Sequence, residues 1–470
     1  DAVQGLVFSF VLPAIWEKGL DPGRVSLVVQ SGMLSAGFLI DIMSNGVMGI
    51  SKACSIGNKA DVNECDLLEY LIDDPDTGVI GLYLESIPDG QKFIDLCRGS
   101  EKPIVVLRGG KSQKGAEAAL SHTASLAGNG AVISGALAQV GVVEAHDFKQ
   151  LMDLCRTLAD YPEIQPENSR RVAILTMSGA AGIVSSDFIE EHDLAVADLS
   201  VSTLEALKEI FPGWMPVSNP VDLWPAVELH GRKKAYTKAF EAVCTDPGVD
   251  AVLFHGFVGG DAFRPDISVL VERAGRAGKP VFGWVMGNRT ETHKLQVQAK
   301  KLGLPIFGEL YRSVECMAAV LSRRKLPADR PNRITLSETF VAEKELQNQF
   351  MDASGTLDDY HSKQIQGYPE LIAGLIRDPQ FGPCVMCGFG GILAEVMTDS
   401  AFAAAPLSHA EALGLIGRLK TQKLLNGFRG FAAVESDALA DLLVRIGELG
   451  LAYPQICLLY TSPSPRDQRE

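Results

Sequence analysis

The feature that most constrains this 470-residue chain is a pattern that occurs twice. From about residue 24, short β-branched runs alternate with longer amphipathic stretches, and a second series begins at Arg171. Such alternation is typical of βαβ units around a parallel sheet. Four landmarks recur in the same order, which indicates an internal repeat. Gln30-Ser31-Gly32 matches Met177-Ser178-Gly179, Asn58-x-x-Asp61 matches Asn219-x-x-Asp222, Asp74-Pro75 matches Asp246-Pro247, and Lys102-Pro103 matches Lys279-Pro280.

The repeat predicts an α/β protein with two tandem flavodoxin-like parallel-sheet domains, residues 24–165 and 168–325. Residues 326–368 change to a polar and acidic composition, which indicates a linker. A third module is expected at residues 369–452, where an apolar Gly-rich run precedes two helical patterns. Residues 458–470 are polar and Pro-rich and cannot bury an apolar face, so we predict a disordered and non-native tail.

The composition limits the possible partners. The net charge is −15, and so acidic a chain is a poor candidate for sequence-independent binding to nucleic acid or to an anionic membrane. No apolar run approaches the roughly 20 residues that a membrane helix needs. Nine scattered cysteines are typical of a reducing compartment. We therefore predict a cytoplasmic protein with neither nucleic-acid nor membrane partners.

Two strand-to-helix turns are candidates for binding phosphate. Ser31-Gly32-Met33 and Ser178-Gly179-Ala180 each follow a predicted strand and open a predicted helix. The first turn of a helix carries free N–H groups and the positive end of the dipole, and glycine lets the backbone approach an anion closely. Small residues that merely permit a tight turn are the alternative for either turn alone. Because the turns are duplicated, we predict that both contribute to one phosphate site.

His122 is the leading candidate for a phosphoryl acceptor. It lies in the stretch 118–128, whose residues are small and almost uncharged. A neutral imidazole accepts a phosphoryl group well, and the N–P bond is labile enough to pass the group on. A structural histidine is the alternative, and His255, which ends a predicted strand, is the competing candidate. Glu85 ends another apolar strand, where it can orient an imidazole or be an ordinary solvated acid.

Together these motifs resemble the ADP-forming acyl-CoA synthetases, which are acid–thiol ligases related to succinyl-CoA synthetase. The resemblance extends from residue 20 to about 450 and implies that His122 is phosphorylated and that Glu85 positions it. It also implies that the two Ser-Gly turns bind the phosphoryl group. The motifs that carry it are Ser31-Gly32, Gly57-Asn58-Lys59-Ala60-Asp61, Asp74-Pro75, Tyr83-Leu84-Glu85, Ser121-His122-Thr123 and Asn219-Pro220-Val221-Asp222.

The same resemblance implies roles for the two ends of the chain. Residues 1–23 resemble the remnant of a CoA-binding domain. Residues 369–452 resemble the C-terminal part of an ATP-grasp domain, with Gly390, Gly391 and Glu395 as its cofactor-binding residues. The linker at 326–368 is too short for the nucleotide-binding first half of such a domain. We therefore expect a truncated or internally deleted chain that is inactive by itself.

The implied reaction converts ATP, a carboxylic acid and CoA into ADP, phosphate and acyl-CoA, through an acyl phosphate and a phosphohistidine. The implied cofactors are CoA, ATP or ADP, and Mg²⁺, with no residue assigned to the metal. The implied partners are a small carboxylic acid, CoA and phosphate, and a homo-oligomer is expected. The alternative is a non-catalytic regulatory module of the same family that senses CoA or acyl-CoA.

Overall fold

The fold is taken from a computed structural model, which divides the chain into two compact units. The first unit comprises Asp1–Leu84, Glu101–Leu107 and Ala145–Lys325, and the second comprises Glu85–Ser100, Arg108–Glu144 and Leu326–Glu470. The structure describes residues 1–8, 19–112, 114–115, 117, 129–163, 169–259, 266–324, 371–390, 399–427 and 433–460.

The first sheet has five strands in the order β2-β1-β3-β4-β5. Its central strands are buried over most of their length, as expected for a parallel sheet with helices on both faces. The strands are β1 (Pro22–Val29), β2 (Ile50–Ser55), β3 (Val79–Leu84), β4 (Ile104–Arg108) and β5 (Val143–Ala145). The helices are α1 (Gly32–Asn45), α2 (Glu64–Asp73), α3 (Gly90–Gly99), α4 (Gly130–Gln139) and α5 (Phe148–Asp160).

The second sheet repeats this topology. Its strands are β6 (Arg171–Thr176), β7 (Ala195–Val196), β8 (Val221–Asp222), β9 (Ala251–Val258), β10 (Val281–Gly287) and β11 (Ile306–Phe307). Their order is β11-β10-β9-β6-β7, with β8 paired to β6. Leaving β8 aside, both sheets have the flavodoxin-like order 2-1-3-4-5. The predicted fold class and internal repeat are therefore confirmed. The helices are α6 (Gly179–Glu191), α7 (Val201–Lys208), α8 (Trp224–His230), α9 (Arg232–Thr245), α10 (Ile267–Ala277), α11 (Arg289–Lys300) and α12 (Leu310–Leu321).

Two of the four repeated landmarks form the same helix-ending contact in each domain. Asp74 ends α2 and Asp246 ends α9, and a proline follows each. The ammonium group of Lys102 donates to the backbone oxygen of Asp74 at 2.6 Å, and Lys279 donates in the same way to Asp246. A cation at a helix C-terminus satisfies carbonyls that have no helical partner. These landmarks therefore have a structural role.

Within the first unit, the two α/β domains meet through equivalent helices. Helices α5 and α12 each follow the fifth strand of their own sheet and pack together. Arg156 on α5 donates to the backbone oxygen of Ile306 at 3.2 Å and lies 4.4 Å from the centre of the Phe307 ring. Arg312 on α12 forms an ion pair with Asp147 at 2.7 Å. Contact between equivalent elements is characteristic of an isologous interface.

The third module is built on an antiparallel sheet in the order β14-β13-β12-β15. Residues 458–460 pair with β12, so the prediction of a disordered tail is wrong for these three residues. Residues 461–470 and the whole predicted linker, 326–368, lie outside the described residues. No helix in the described part of the chain could span a membrane. The elements are β12 (Leu371–Asp378), β13 (Gly382–Phe389), β14 (Ser400–Ala404), β15 (Leu458–Tyr460), α13 (His409–Gly417), α14 (Gln422–Leu425) and α15 (Ser436–Ala452).

In the second unit, α4 covers the free edge of β14. The Gln139 side chain donates to the Ala404 backbone oxygen at 3.0 Å and accepts from the Ala404 N–H at 2.8 Å. A Cβ atom on Gly135 would lie only 2.3 Å from the Phe402 backbone oxygen, so the helix approaches the strand very closely. A glutamine side chain thus replaces the neighbouring strand that β14 lacks on this side.

Replacing Gln139 with leucine should destabilise this unit by at least about 2 kcal/mol, because it leaves two buried backbone groups of Ala404 unpaired. Urea unfolding would measure the loss. Ala138→Leu places the same side chain on the exposed face of α4 and should change the midpoint little. Equal midpoints for the two variants would contradict the edge-pairing role of Gln139.

Candidate functional site

The two predicted phosphate-binding turns have almost the same backbone geometry. Ser31 precedes α1 with φ −157° and ψ 121°, and Ser178 precedes α6 with φ −152° and ψ 120°. Each follows the first strand of its sheet, at the carboxyl edge where open α/β sheets bind ligands. The second residue of each helix is exposed, with Met33 77% accessible and Ala180 also open to solvent. Both turns can therefore receive an anion.

The two turns differ in how they use their serine hydroxyl groups. The Ser31 hydroxyl accepts from the Leu34 N–H at 3.4 Å and so caps its own helix. The Ser178 hydroxyl forms no capping bond with α6. Consequently, the first turn of α1 retains two N–H groups without a helical partner, whereas that of α6 retains three. The second turn offers more donors, and its hydroxyl is not committed to the helix.

The structure places some of the other predicted residues. Glu85 directly follows β3 and is half-buried, as its predicted position at the strand end requires. Gly390 directly follows β13. His122, Gly391 and Glu395 lie outside the described residues, so the pairing of Glu85 with His122 and the nucleotide contacts stay predictions.

A charged cluster that the sequence did not indicate is formed by residues that lie before and after His122 in the sequence. Arg108, at the end of β4, donates to Glu144 at 3.1 Å and to the Gly130 backbone oxygen at 3.1 Å. Lys111 forms an ion pair with the same Glu144 oxygen at 2.9 Å. Burial by itself would raise the pKa of Glu144, but hydrogen bonds from Ser134 and Lys111 and the nearby cations lower it. The cluster therefore stays charged and fixes the start of α4.

The structure excludes His255 as the phosphoryl acceptor. Its side chain is fully buried on β9. Its Nδ1 lies 2.9 Å from the Thr176 hydroxyl, and its Nε2 lies 3.1 Å from the Ser185 hydroxyl. Burial lowers the pKa of His255 to about 3, so the imidazole is neutral at physiological pH. Neither nitrogen is accessible to a substrate.

A cavity of about 700 Å³ lies in the first unit, beside α1 and the carboxyl end of β10. Its lining starts at Leu34, three residues after the Ser31 turn, and includes Phe38, Phe148 and Met286. Arg289 contributes a positive charge to the lining. The cavity therefore has both an apolar surface and a positive charge, that of Arg289, which follows β10 in the sequence.

Two parts of the chain match known domain families. Residues 22–158 match the succinyl-CoA ligase-like flavodoxin domain, and residues 360–464 match an ATP-grasp domain. The matches cover the first α/β domain and the third module, respectively. They agree with the predicted flavodoxin-like and ATP-grasp assignments.

Curated relatives extend over nearly the whole chain. Acetate–CoA ligase [ADP-forming] I of Archaeoglobus fulgidus is 29% identical over 530 residues, covering 94% of this chain and 76% of the relative. The 4-hydroxybutyrate–CoA ligase [ADP-forming] of Nitrosopumilus maritimus is 26% identical over 94% of this chain and 75% of the relative. Both alignments are longer than the 470 residues here, so each relative has segments without a counterpart in this chain.

A solved structure agrees with these relatives. It is the dinucleotide-forming acetyl-coenzyme A synthetase 1 of Ca. Korarchaeum cryptofilum in complex with phosphate and ADP. Its TM-score is 0.57 at 29% identity, and the match covers 64% of this chain and 64% of that chain. The matched domain families, the curated relatives and the solved structure therefore all indicate the family that the duplicated Ser-Gly turns and the other motifs resemble. The chain contains a succinyl-CoA ligase-like flavodoxin domain and part of an ATP-grasp domain, and over nearly its whole length it is similar to the ADP-forming acyl-CoA synthetases.

Proposed function

We propose that this chain is the phosphohistidine-bearing part of an acid–thiol ligase that forms acyl-CoA, ADP and phosphate from a carboxylic acid, CoA and ATP. The observation that carries the proposal is the pair of open helix starts at Ser31 and Ser178, with matching backbone geometry in two domains of the same topology. A duplicated anion site suits a reaction in which one phosphoryl group is held while its bonds change.

The helix starts supply the electrostatic part of the chemistry. The phosphoryl group carries negative charge throughout its transfer, and the free N–H groups of both helices are already oriented when it arrives. Donors that need no reorganisation during the reaction are the main source of stabilisation in such sites. The Ser178 hydroxyl, which is not used for capping, adds a further donor.

His122 is proposed to carry the phosphoryl group. The imidazole attacks the terminal phosphorus of ATP and ADP leaves; the carboxylate of the acid then attacks the same phosphorus, which releases His122 and forms an acyl phosphate. The CoA thiol attacks the acyl carbon, and phosphate leaves with the bonding electron pair. Glu85 is proposed to hold the imidazole N–H and stabilise its positive charge.

The cavity beside α1 is the proposed place for the small carboxylic acid, since its lining begins near the Ser31 turn and is partly apolar. Arg289 can attract the carboxylate, and Phe38 and Phe148 can contact the acyl chain. The described residues contain no group of three or more His, Cys, Asp or Glu side chains that could hold a metal ion. The proposal therefore assigns no residue to Mg²⁺.

A carboxylate introduced at the second position of either helix tests the phosphate site. Met33→Asp and Ala180→Asp should each weaken the binding of inorganic phosphate to the full chain at least about tenfold, because like charges at 4 Å repel by roughly 4 kcal/mol near a protein surface. An acid at a helix N-terminus favours the helix, so the melting temperature should not fall. Titration calorimetry would measure the dissociation constants.

Met33→Asn and Ala180→Asn are the matched neutral controls, and both should keep phosphate affinity within about twofold of the parent chain. The two-turn site would be refuted if only one aspartate variant lost affinity. It would also be refuted if the asparagine variants lost as much affinity as the aspartate variants.

A further inference from the structure

A buried hydrogen-bond network lies directly beneath the start of α6. His255 sits on β9, which pairs with β6, and its Nδ1 contacts the hydroxyl of Thr176 at the end of β6. Its Nε2 contacts the hydroxyl of Ser185 on α6. All three side chains are fully buried. One imidazole therefore links the strand that leads into the turn to the helix that leaves it.

The Thr176 hydroxyl continues the network into the turn. It accepts from the Ser178 N–H at 3.0 Å and donates to the Ser178 backbone oxygen at 2.9 Å. Since a hydroxyl has one proton and two lone pairs, its orientation is set by the groups around it. The imidazole is the group that fixes the orientation of this hydroxyl from below.

Nothing in the surroundings of His255 suggests a charge-carrying role. The His255 and Trp284 rings form a T-shaped pair with a centroid distance of 5.1 Å and an interplanar angle of 90°, and the Tyr236 hydroxyl donates to the His255 backbone oxygen. Burial is the cause of the low pKa. The network is thus a neutral and fixed support.

The first domain lacks this network, which gives an internal comparison. The residue two before Ser31 is Val29, and Tyr83 lies opposite it on β3. Neither residue can offer the Thr176–His255 contact, and in that domain the Ser31 hydroxyl caps its own helix. In the second domain the network is present, and Ser178 makes no such cap. The supported turn is therefore the one that keeps its hydroxyl available.

We propose that His255 is a positioning residue for the phosphoryl group, acting through Thr176 on the Ser178-Gly179 turn. By holding Thr176 it fixes the Ser178 peptide, and the Ser178 hydroxyl remains a donor to the anion in place of a helix cap. The inference rests on the proposed function, because it names a further residue of the same phosphate site.

Two substitutions of His255 each preserve only one of the two hydrogen bonds of the imidazole. The amide of an asparagine reaches the position of Nδ1, and that of a glutamine reaches the position of Nε2. His255→Asn should keep the Thr176 contact and hold the affinity for inorganic phosphate within about threefold. His255→Gln should keep only the Ser185 contact and weaken phosphate binding about tenfold. Ser185→Ala removes the hydrogen bond to Nε2 and should leave the phosphate affinity close to that of the parent chain.

Titration calorimetry with inorganic phosphate on the full chain, together with melting temperatures, gives the answer. Both His255 variants lose one hydrogen bond and the ring contact with Trp284. If the role of His255 were purely structural, the two variants should therefore lose similar amounts of stability and similar amounts of phosphate affinity. Thr176→Ser retains the hydroxyl and should bind like the parent chain, whereas Thr176→Val, which copies Val29 of the first domain, should bind like His255→Gln.

Equal affinities for His255→Asn and His255→Gln, or a Ser185→Ala loss as large as that of His255→Gln, would overturn the positioning role alone. Failure of the unsubstituted chain to bind phosphate, or full binding by Ala180→Asp, would instead overturn the proposed phosphate site and this inference with it.

Discussion

His122→Asn should abolish phosphorylation of the chain. When this chain is supplied with the CoA-binding domain that residues 1–23 represent only in part, and is incubated with acetyl-CoA and labelled inorganic phosphate, acetate and CoA are released and the label should become bound to the imidazole. This half-reaction needs no nucleotide, so it tests His122 apart from the ATP-grasp module. An amide cannot form the N–P bond, and removal of the acceptor should reduce labelling by about 10³-fold or more. The label should be lost in acid and retained in base.

His146→Asn is the matched control, because this histidine is exposed and should retain full labelling. Glu85→Gln keeps the size of the side chain but removes its charge, and it should slow labelling without abolishing it. Equal labelling of His122→Asn and the parent chain would refute the assignment. Saturable acyl-CoA binding with no labelling of the parent chain would instead favour a module that senses acyl-CoA.

Gly287→Ala should destabilise the first unit by about 3 kcal/mol or more. Gly287 ends β10 with φ +140°, a conformation that residues with a side chain rarely adopt. A Cβ atom there would lie 2.0 Å from the backbone oxygen of Val258, which belongs to the neighbouring strand. Backbone cannot move aside as a flexible side chain can, so the sheet itself must shift. The urea unfolding midpoint would measure the loss.

Gly275→Ala is a control that should raise the free energy of unfolding rather than lower it. Gly275 is an exposed residue within α10, and a Cβ atom there would have no neighbour within 4 Å. Alanine is the better helix former, so this variant should gain roughly 0.5–1 kcal/mol. A chain that tolerated both substitutions equally would show that the backbone near Gly287 is free to rearrange.

The sequence predicted the sheets well because their central strands are buried on both faces. Such strands appear in the sequence as short continuous apolar runs, as in Val79–Leu84, and the internal repeat shows the same pattern a second time. Within the two α/β domains, the strands that the sequence did not indicate are very short: β7, β8 and β11 have two residues each and β5 has three. Segments of that length have no measurable periodicity, and only tertiary pairing defines them.

The candidate site was predicted in part. The Ser-Gly turns could be found because a helix N-terminus has a local sequence signature. The support beneath one of them could not be found, since Thr176 and His255 are 79 residues apart and meet only through the pairing of β6 with β9. Considered alone, His255 was taken for a competing phosphoryl acceptor. The Arg108–Glu144 cluster was missed for the same reason, because its members come from different elements.

The contact of α5 with α12 has a further consequence. In a symmetric homodimer, a substitution in one subunit appears in both, so both sides of a shared ligand must stay alike. Two copies of the domain joined in one chain keep the same interface but can change independently. The domain with Val29 has a self-capped serine, whereas the domain with Thr176 has a buried imidazole. Joining the two copies in one chain therefore allows the two proposed phosphate-binding turns to differ chemically.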